Sequence, residues 1–250
     1  IWQQRAHVKL TYATNYLCGY MSNPSAEVYK HYKHTLLHEY AYPAPLVFGG
    51  GGKRSLVSVS APTRPFTSGQ YDYGLHCFVD GNLGSPLPEE TAIADGLSKV
   101  HPSCQGKSFT GVVTMFAGAP IEALCQRQHL HAPDAYTSEI SAAGTCVHRV
   151  MPLRGLLDEM RIGQTDPTVI YCDSQSAIFV AESAASVKRS VWIHRRAIVL
   201  REAVDMGDVK FVKISEKDNC ADGLTKPIKH AALVHHMTHI LPHFHFVRVA

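Results

Sequence analysis

Apolar residues recur at helical spacing through the first forty positions. Ala6–Met21 carries Val8, Leu10, Tyr12, Tyr16, Leu17 and Tyr20, and Ala26–Tyr40 carries Val28, Tyr29, Tyr32, Leu36 and Leu37 largely on one face. Ser22-Asn23-Pro24-Ser25 breaks the first run and starts the second, so an αα-hairpin is expected. Residues 44–72 change texture. Leu46-Val47-Phe48 and Leu56–Val59 are short strand-like runs, Gly49–Gly52 is a glycine run, and Pro62–Gln70 is polar, which makes 49–72 the expected linker. From Tyr73 onward the period alternates between strand and helix. Gly74–Val79 is an apolar strand closing on Asp80, and Gly81–Gln105 is a long Gly-, Pro- and acid-rich connection. Gly111–Phe116 and Ile121–Gln126 flank turn residues and predict a hairpin. Tyr136–Met160 has helical spacing, with Pro152 expected to kink or divide it. Then come a strand at Thr168–Cys172, a helix at Gln175–Glu182, and a helix at Ser190–Met206 closed by Gly207. A partly alternating strand follows at Val209–Ile214, a short helix start at Asp218–Thr225, and a His-rich helix at Ile228–Leu241. The order β-β-β-α-β-α-α-β-α places the chain in the α/β class.

Composition narrows the picture only modestly. The 250 residues, 45% hydrophobic and 18% charged, suit one large domain or a domain with a smaller appendage. No apolar run approaches the roughly 20 residues a membrane-spanning helix needs. The N-terminal IWQQRAHVKL lacks the apolar core of a secretory signal, so a secreted or membrane protein is not expected. The chain does not begin with Met, as a fragment of a longer polypeptide would not. A net charge of +3 with 16 His is compatible with a nucleic-acid partner without demanding one. The seven Cys are scattered and never spaced Cys-x-x-Cys, which argues against a disulfide framework or a Cys-zinc site and favours a reducing compartment. Gly49–Gly52 is not followed by Lys-Ser/Thr at phosphate-loop spacing, and no Gly-x-Ser-x-Gly elbow is present. His235 and His239 have the i, i+4 spacing of a chelating pair, but compositional bias in a His-rich helix and tail is the favoured reading.

Candidate chemistry lies in four acids at special places. Asp80 ends a strand, Glu139 lies in the first turn of the long helix, Asp173 ends the VIYC strand, and Asp222 sits at a helix start after the last strand. Singly, each reads as a cap or a solvated loop residue. Converging carboxylates repel one another and call for a cation. Oxygen donors of this kind suit Mg²⁺, and paired ions are suited to phosphodiester cleavage. Lys188, Arg189, Arg195, Arg196 and Arg201 make a basic helix nearby, which reads either as a phosphate-contacting surface or as a solvated face.

The segment from Tyr73 to about Leu241 resembles the ribonuclease H domain of copia-type retrotransposon Pol polyproteins. The stretches that carry the resemblance are VDGNLG (Val79–Gly84), KSFTGVVTMFAGAPIEALCQRQ (Lys107–Gln128), TSEISAA (Thr137–Ala143), RGLLDEMRI (Arg154–Ile162), IYCDSQSAI (Ile170–Ile178) and CADGLTKP (Cys220–Pro227). YLCGYMSNPSAEVYKHYKHTLLH (Tyr16–His38) resembles the helical segment that joins the reverse-transcriptase core to that domain. The resemblance implies a ribonuclease H-like mixed five-stranded sheet flanked by helices. It divides the chain into a thumb/connection-like segment at 1–48, a linker at 49–72 and the nuclease domain at 73–250. It implies hydrolysis of the RNA strand of RNA–DNA hybrids during reverse transcription. Asp80, Glu139, Asp173 and Asp222 would bind two Mg²⁺, replaceable by Mn²⁺, with Asp80 shared between the ions. Nucleic-acid contacts fall to Lys188, Arg189, Arg195 and Arg196, with Ser174 and Gln175 beside Asp173. The implied partner is the reverse-transcriptase domain of the same polyprotein, in a cytoplasmic virus-like particle or the nucleus.

The sequence departs from the family at Trp192, where a His is usual, and at Glu122–Arg127, where the family is Lys-rich. Those departures keep a second expectation open, a remnant that binds nucleic acid or a partner without cutting. A third, an integrase-type or exonuclease domain of the same fold, is disfavoured by the CADGLTKP match.

Overall fold

The structure, a computed structural model, describes residues 10–20, 24–41, 74–84, 106–116, 119–183 and 191–240. The strand-like runs at 46–48 and 56–59, the 49–72 linker, most of the 81–105 connection and the pair Lys188-Arg189 lie outside the described residues. In chain order the elements are α1 (Thr11–Cys18), α2 (Ala26–Ala41), β1 (His76–Asn82), β2 (Phe109–Phe116), β3 (Ala119–Arg127), α3 (Ala135–Glu159), β4 (Thr168–Cys172), α4 (Gln175–Glu182), α5 (Val191–Asp205), β5 (Val209–Lys213) and α6 (His230–Ile240), with short 3₁₀ turns at Glu216–Asp218 and Cys220–Leu224.

The described strands form one sheet in the order β3-β2-β1-β4-β5. β1, β2 and β3 pair antiparallel, as tight connections allow, whereas β1–β4 and β4–β5 are parallel and need helical crossovers. α3 makes the first crossover, and α4 with α5 the second. Alternate residues of β1 and β4 feed opposite faces. Cys77, Val79, Ile170 and Cys172 join the core under α3, α4 and α5, while Phe78 and Tyr171 join a second core with Ile214, Leu224 and Met237. With both faces covered, β1 is buried almost throughout and shows no polar alternation. This mixed five-stranded sheet, flanked by helices, is the ribonuclease H-like α/β architecture expected from the sequence.

Several boundaries differ from the sequence expectation. β1 runs two residues beyond Asp80, because Asp80, Gly81 and Asn82 pair with Gly111, Thr110 and Phe109. α3 runs unbroken through Pro152. Pro152 and His148, whose carbonyl loses its helical donor, are both exposed, so water can satisfy that carbonyl. The helix start expected at 218–225 is a pair of 3₁₀ turns. Gly207 ends α5 in the left-handed region at φ 75°.

α1 docks on the sheet edge. The Tyr12 ring packs edge-on against Phe109 at 5.6 Å, and Asn15 Nδ2 donates to the Cys125 carbonyl of β3 at 2.8 Å. Leu17, Tyr20 and Val28 join α1 to α2. The rest of the expected apolar face of α2 is outward: Tyr29, Tyr32, Leu36 and Leu37 are exposed. No described helix is long and apolar enough to cross a membrane.

Candidate metal centre

Four elements deliver one carboxylate each. β1 and β4 are parallel neighbours with Val79 opposite Cys172, so the next residues, Asp80 and Asp173, emerge together at one end of the sheet. Asp222 comes from the 3₁₀ turn Cys220–Leu224, which lies across β2. It can lie there because residue 111 is glycine: a Cβ would stand 2.7 Å from the Ala221 carbonyl oxygen. Glu139 follows the first turn of α3, one position later than expected because the helix starts at Ala135; Asp134 Oδ1 accepts the Thr137 N–H of that turn at 2.8 Å as a helix cap. This end of α3 presses on β1 at Gly81, where a Cβ would meet Ser138 O at 2.7 Å and Glu139 Cα at 2.9 Å. The close approach lets the Gly81 N–H donate to the Glu139 carboxylate.

Carboxylate oxygens of Asp80, Asp173 and Asp222 lie within 4.8 Å of one another, and oxygens of Glu139 and Asp173 with the Cys172 sulfur form a second such group. All four predicted acids therefore converge, and Asp173, rather than Asp80, is common to the two groups. Burial, then the charges of Asp222 and Asp173, pushes Asp80 up to about 7 against the Thr225 hydrogen bond. Glu139 is pushed to about 9, first by burial and then by the charges of Asp80 and Asp173. Asp222 is raised by burial, against its bond to Lys226. Burial alone would lower Lys226, but its hydrogen bond to Asp222 holds it above the ordinary lysine range.

The donor set fits a hard divalent cation. Buried Glu139 Oε2 and Asp222 Oδ1 have no hydrogen-bond partner, and the acids share too little positive charge to ionise together. Lys226 Nζ reaches Asp222 Oδ2 at 2.9 Å and Glu216 Oε1 at 3.2 Å. Thr225 Oγ1 donates to Asp80 Oδ2, and Lys213 Nζ to the Asp173 carbonyl. Asn219 Nδ2 donates to Asp173 Oδ1 at 3.2 Å. Sequence reasoning assigned no role to Asn219, Thr225 or Lys226, although each lies within or beside the CADGLTKP stretch. Only the folded turn shows which acid each one touches.

The expected nucleic-acid contacts are placed unevenly. Ser174 caps α4, its Oγ accepting the Ala177 N–H at 3.3 Å, and Gln175 is exposed beside it. Arg195 is exposed on α5, whereas Arg196 Nη1 donates to the Ser141 carbonyl of α3 at 3.0 Å. Arg201 Nε likewise donates to the Val180 carbonyl of α4 at 2.9 Å. His235 Nε2 pairs with Asp218 Oδ1 at 3.0 Å, and the His239 side chain lies outside the described residues.

The retrovirus-related Pol polyprotein from transposon TNT 1-94 of Nicotiana tabacum is 34% identical over 122 residues, 49% of this chain and 9% of the relative. The chain is a homologue of transposon Pol polyproteins. The Pol polyprotein from transposon RE1 of Arabidopsis thaliana is 26% identical over 125 residues, 50% of this chain and 8% of the relative. The matched segment thus spans less than a tenth of these curated relatives. No family model matches. Among solved structures, LC11-RNase H1 isolated from compost aligns with 61% of this chain and 93% of its own at 15% identity and TM-score 0.40. RNase H1 of the halophilic archaeon Halobacterium salinarum NRC-1 covers 60% and 93% at 14% identity and TM-score 0.40. The fold of this Pol homologue is carried by its own sheet order and not by those likenesses.

Proposed function

We propose that this chain is a ribonuclease H acting in retroelement reverse transcription, hydrolysing the RNA strand of an RNA–DNA hybrid at Asp80, Glu139, Asp173 and Asp222. The observation that carries the reading is the convergence of four acids from four elements, with Glu139 Oε2 and Asp222 Oδ1 buried and unpartnered. Kinship with retrovirus-related Pol polyproteins supports the hybrid as substrate. The four acids would hold two Mg²⁺, or Mn²⁺ in their place. When bound, the ions supply an activated water and charge stabilisation at the leaving oxygen.

The chain's own residues prepare the site. Thr225 fixes the Asp80 carboxylate, the Gly81 N–H fixes Glu139, and Lys226 holds Asp222. Exposed Gln175 and Arg195 are available to the nucleic acid, and Lys188 and Arg189, outside the described residues, are proposed as further contacts to it. The division into a connection-like segment at 1–48, a linker at 49–72 and a nuclease domain at 73–250 belongs to the same proposal, as does the reverse-transcriptase domain of the polyprotein as partner.

The test is cleavage of an end-labelled RNA–DNA hybrid by the full chain in Mg²⁺, with duplex DNA as the comparison substrate. Asp80→Asn and Asp173→Asn are each expected to abolish hybrid cleavage while the far-ultraviolet circular dichroism stays that of the parent. Undiminished cleavage by either variant would sink the assignment.

A further inference from the structure

Asn219 lies between the two 3₁₀ turns and is fully buried. Its side chain uses both of its N–H donors and accepts one hydrogen bond on its amide oxygen. Nδ2 donates to the Val79 carbonyl at 3.0 Å and to Asp173 Oδ1 at 3.2 Å, and Oδ1 accepts the Ala221 N–H at 3.2 Å. The orientation of the amide is fixed by its surroundings, since a backbone N–H can only donate and a backbone carbonyl can only accept. Its main chain is tied as well: the Asn219 N–H donates to the Ser215 carbonyl at 3.1 Å, and its carbonyl accepts the Asp222 N–H at 3.1 Å.

These bonds reach all three aspartates. Val79 immediately precedes Asp80, Asp173 is contacted directly, and the Ala221 and Asp222 amides belong to the turn that carries Asp222. One planar amide therefore sets the spacing of the β1 end, the β4 end and the turn over β2. A serine has one donor, an aspartate has none when ionised, and a glutamine is longer, so asparagine is the side chain that satisfies two acceptors and one donor here.

We infer that Asn219 is the positioning residue that holds Asp80, Asp173 and Asp222 at cation-binding separation. The inference rests on the reading of the acid cluster as a divalent-cation site. Groups that orient metal-binding carboxylates typically change metal affinity by about 10–100-fold when removed. The amide of Asn219 is bonded to Val79, Asp173 and Ala221, so it acts through the aspartates.

The experiment compares the full chain with Asn219→Ser and Asn219→Ala. Serine is as good a cap for the Ala221 amide as asparagine but cannot serve both Val79 and Asp173. Mn²⁺ binding is measured by titration calorimetry, metal-free stability by thermal unfolding, and hybrid hydrolysis across a Mg²⁺ series. N219S is expected to unfold near the parent temperature, to bind Mn²⁺ about 10–100-fold more weakly, and to need correspondingly more Mg²⁺ for half-maximal hydrolysis. N219A is expected to show the same affinity loss with some loss of stability. Parental Mn²⁺ affinity in N219S would overturn the inference. So would failure of N219S to fold, because the residue would then serve the turn and not the site. A parent chain that takes up no Mn²⁺ overturns the cation-site reading itself, and the role of Asn219 with it.

Discussion

Burial pushes Asp80 to about 7 and Glu139 to about 9, from ordinary values of 3.8 and 4.5. The consequence for stability has a definite sign. Between the ordinary and the shifted values the folded chain keeps protons that the unfolded chain releases, so metal-free stability falls as pH rises through that window. It is undiminished below about 4 and fully lost above about 9. Glu139→Gln removes the ionisation. Thermal unfolding in a chelator is expected to show E139Q more stable than the parent at pH 8.5, with the difference shrinking toward pH 4.5. A difference that does not change with pH would mean that Glu139 ionises freely. The acid positions themselves were legible from the sequence because each lies at or near the expected end of an element. Their shifted protonation was not, because it comes from neighbours supplied by other elements.

Among the elements, the 3₁₀ turn and the N-terminal end of α3 reach the site only because two strands carry glycine beneath them. At Gly111 the obstacle to a side chain is the Ala221 carbonyl, and at Gly81 it is the Ser138–Glu139 backbone. Backbone atoms cannot rotate aside as a side-chain tip can. Gly111→Ala is expected to lift the turn that carries Asp222, costing about 1–3 kcal/mol in denaturant unfolding and weakening Mn²⁺ binding in the same variant. Parental Mn²⁺ affinity in G111A would show that the turn can ride outward without moving Asp222. Pro152 shows the opposite limit of sequence reasoning. It was expected to break α3, yet tertiary packing of Val147, Val150 and Leu157 on the sheet keeps the helix continuous, with the proline on the wet side.

For the molecule as a whole, the four acids join the end of the sheet to α3 and to the turn ahead of α6. A divalent ion bound by them would bind the folded state and not the unfolded one, and so would stabilise the entire domain. At a free Mg²⁺ concentration 100 times its dissociation constant, the expected gain is about 2.7 kcal/mol, read as a rise in unfolding temperature. Asp222→Asn is expected to reduce that gain. A Mg²⁺-independent unfolding temperature in the parent would deny the acids any cation. The docking of α1 on β2 and β3 adds the N-terminal helix to the same body, through Tyr12, Asn15 and their partners Phe109 and Cys125.

Periodicity, caps and turn residues are local properties, and through them the sequence by itself determined the order of elements, while the mixed sheet followed from the family resemblance. The sequence also singled out the four acids as candidates, because each sits within a quotable motif at or near an expected element end. The tertiary structure decided what local patterns cannot hold. Strand pairing extended β1 past Asp80, because a ladder ends where its partner ends. Close packing gave Gly81 and Gly111 their purpose, and brought Arg196 Nη1 to the Ser141 carbonyl. It also brought Asn219 to Asp173 and to Val79, far away in the chain. A hydrogen bond across such a separation depends on where whole elements come to rest, and no stretch of sequence carries that information alone.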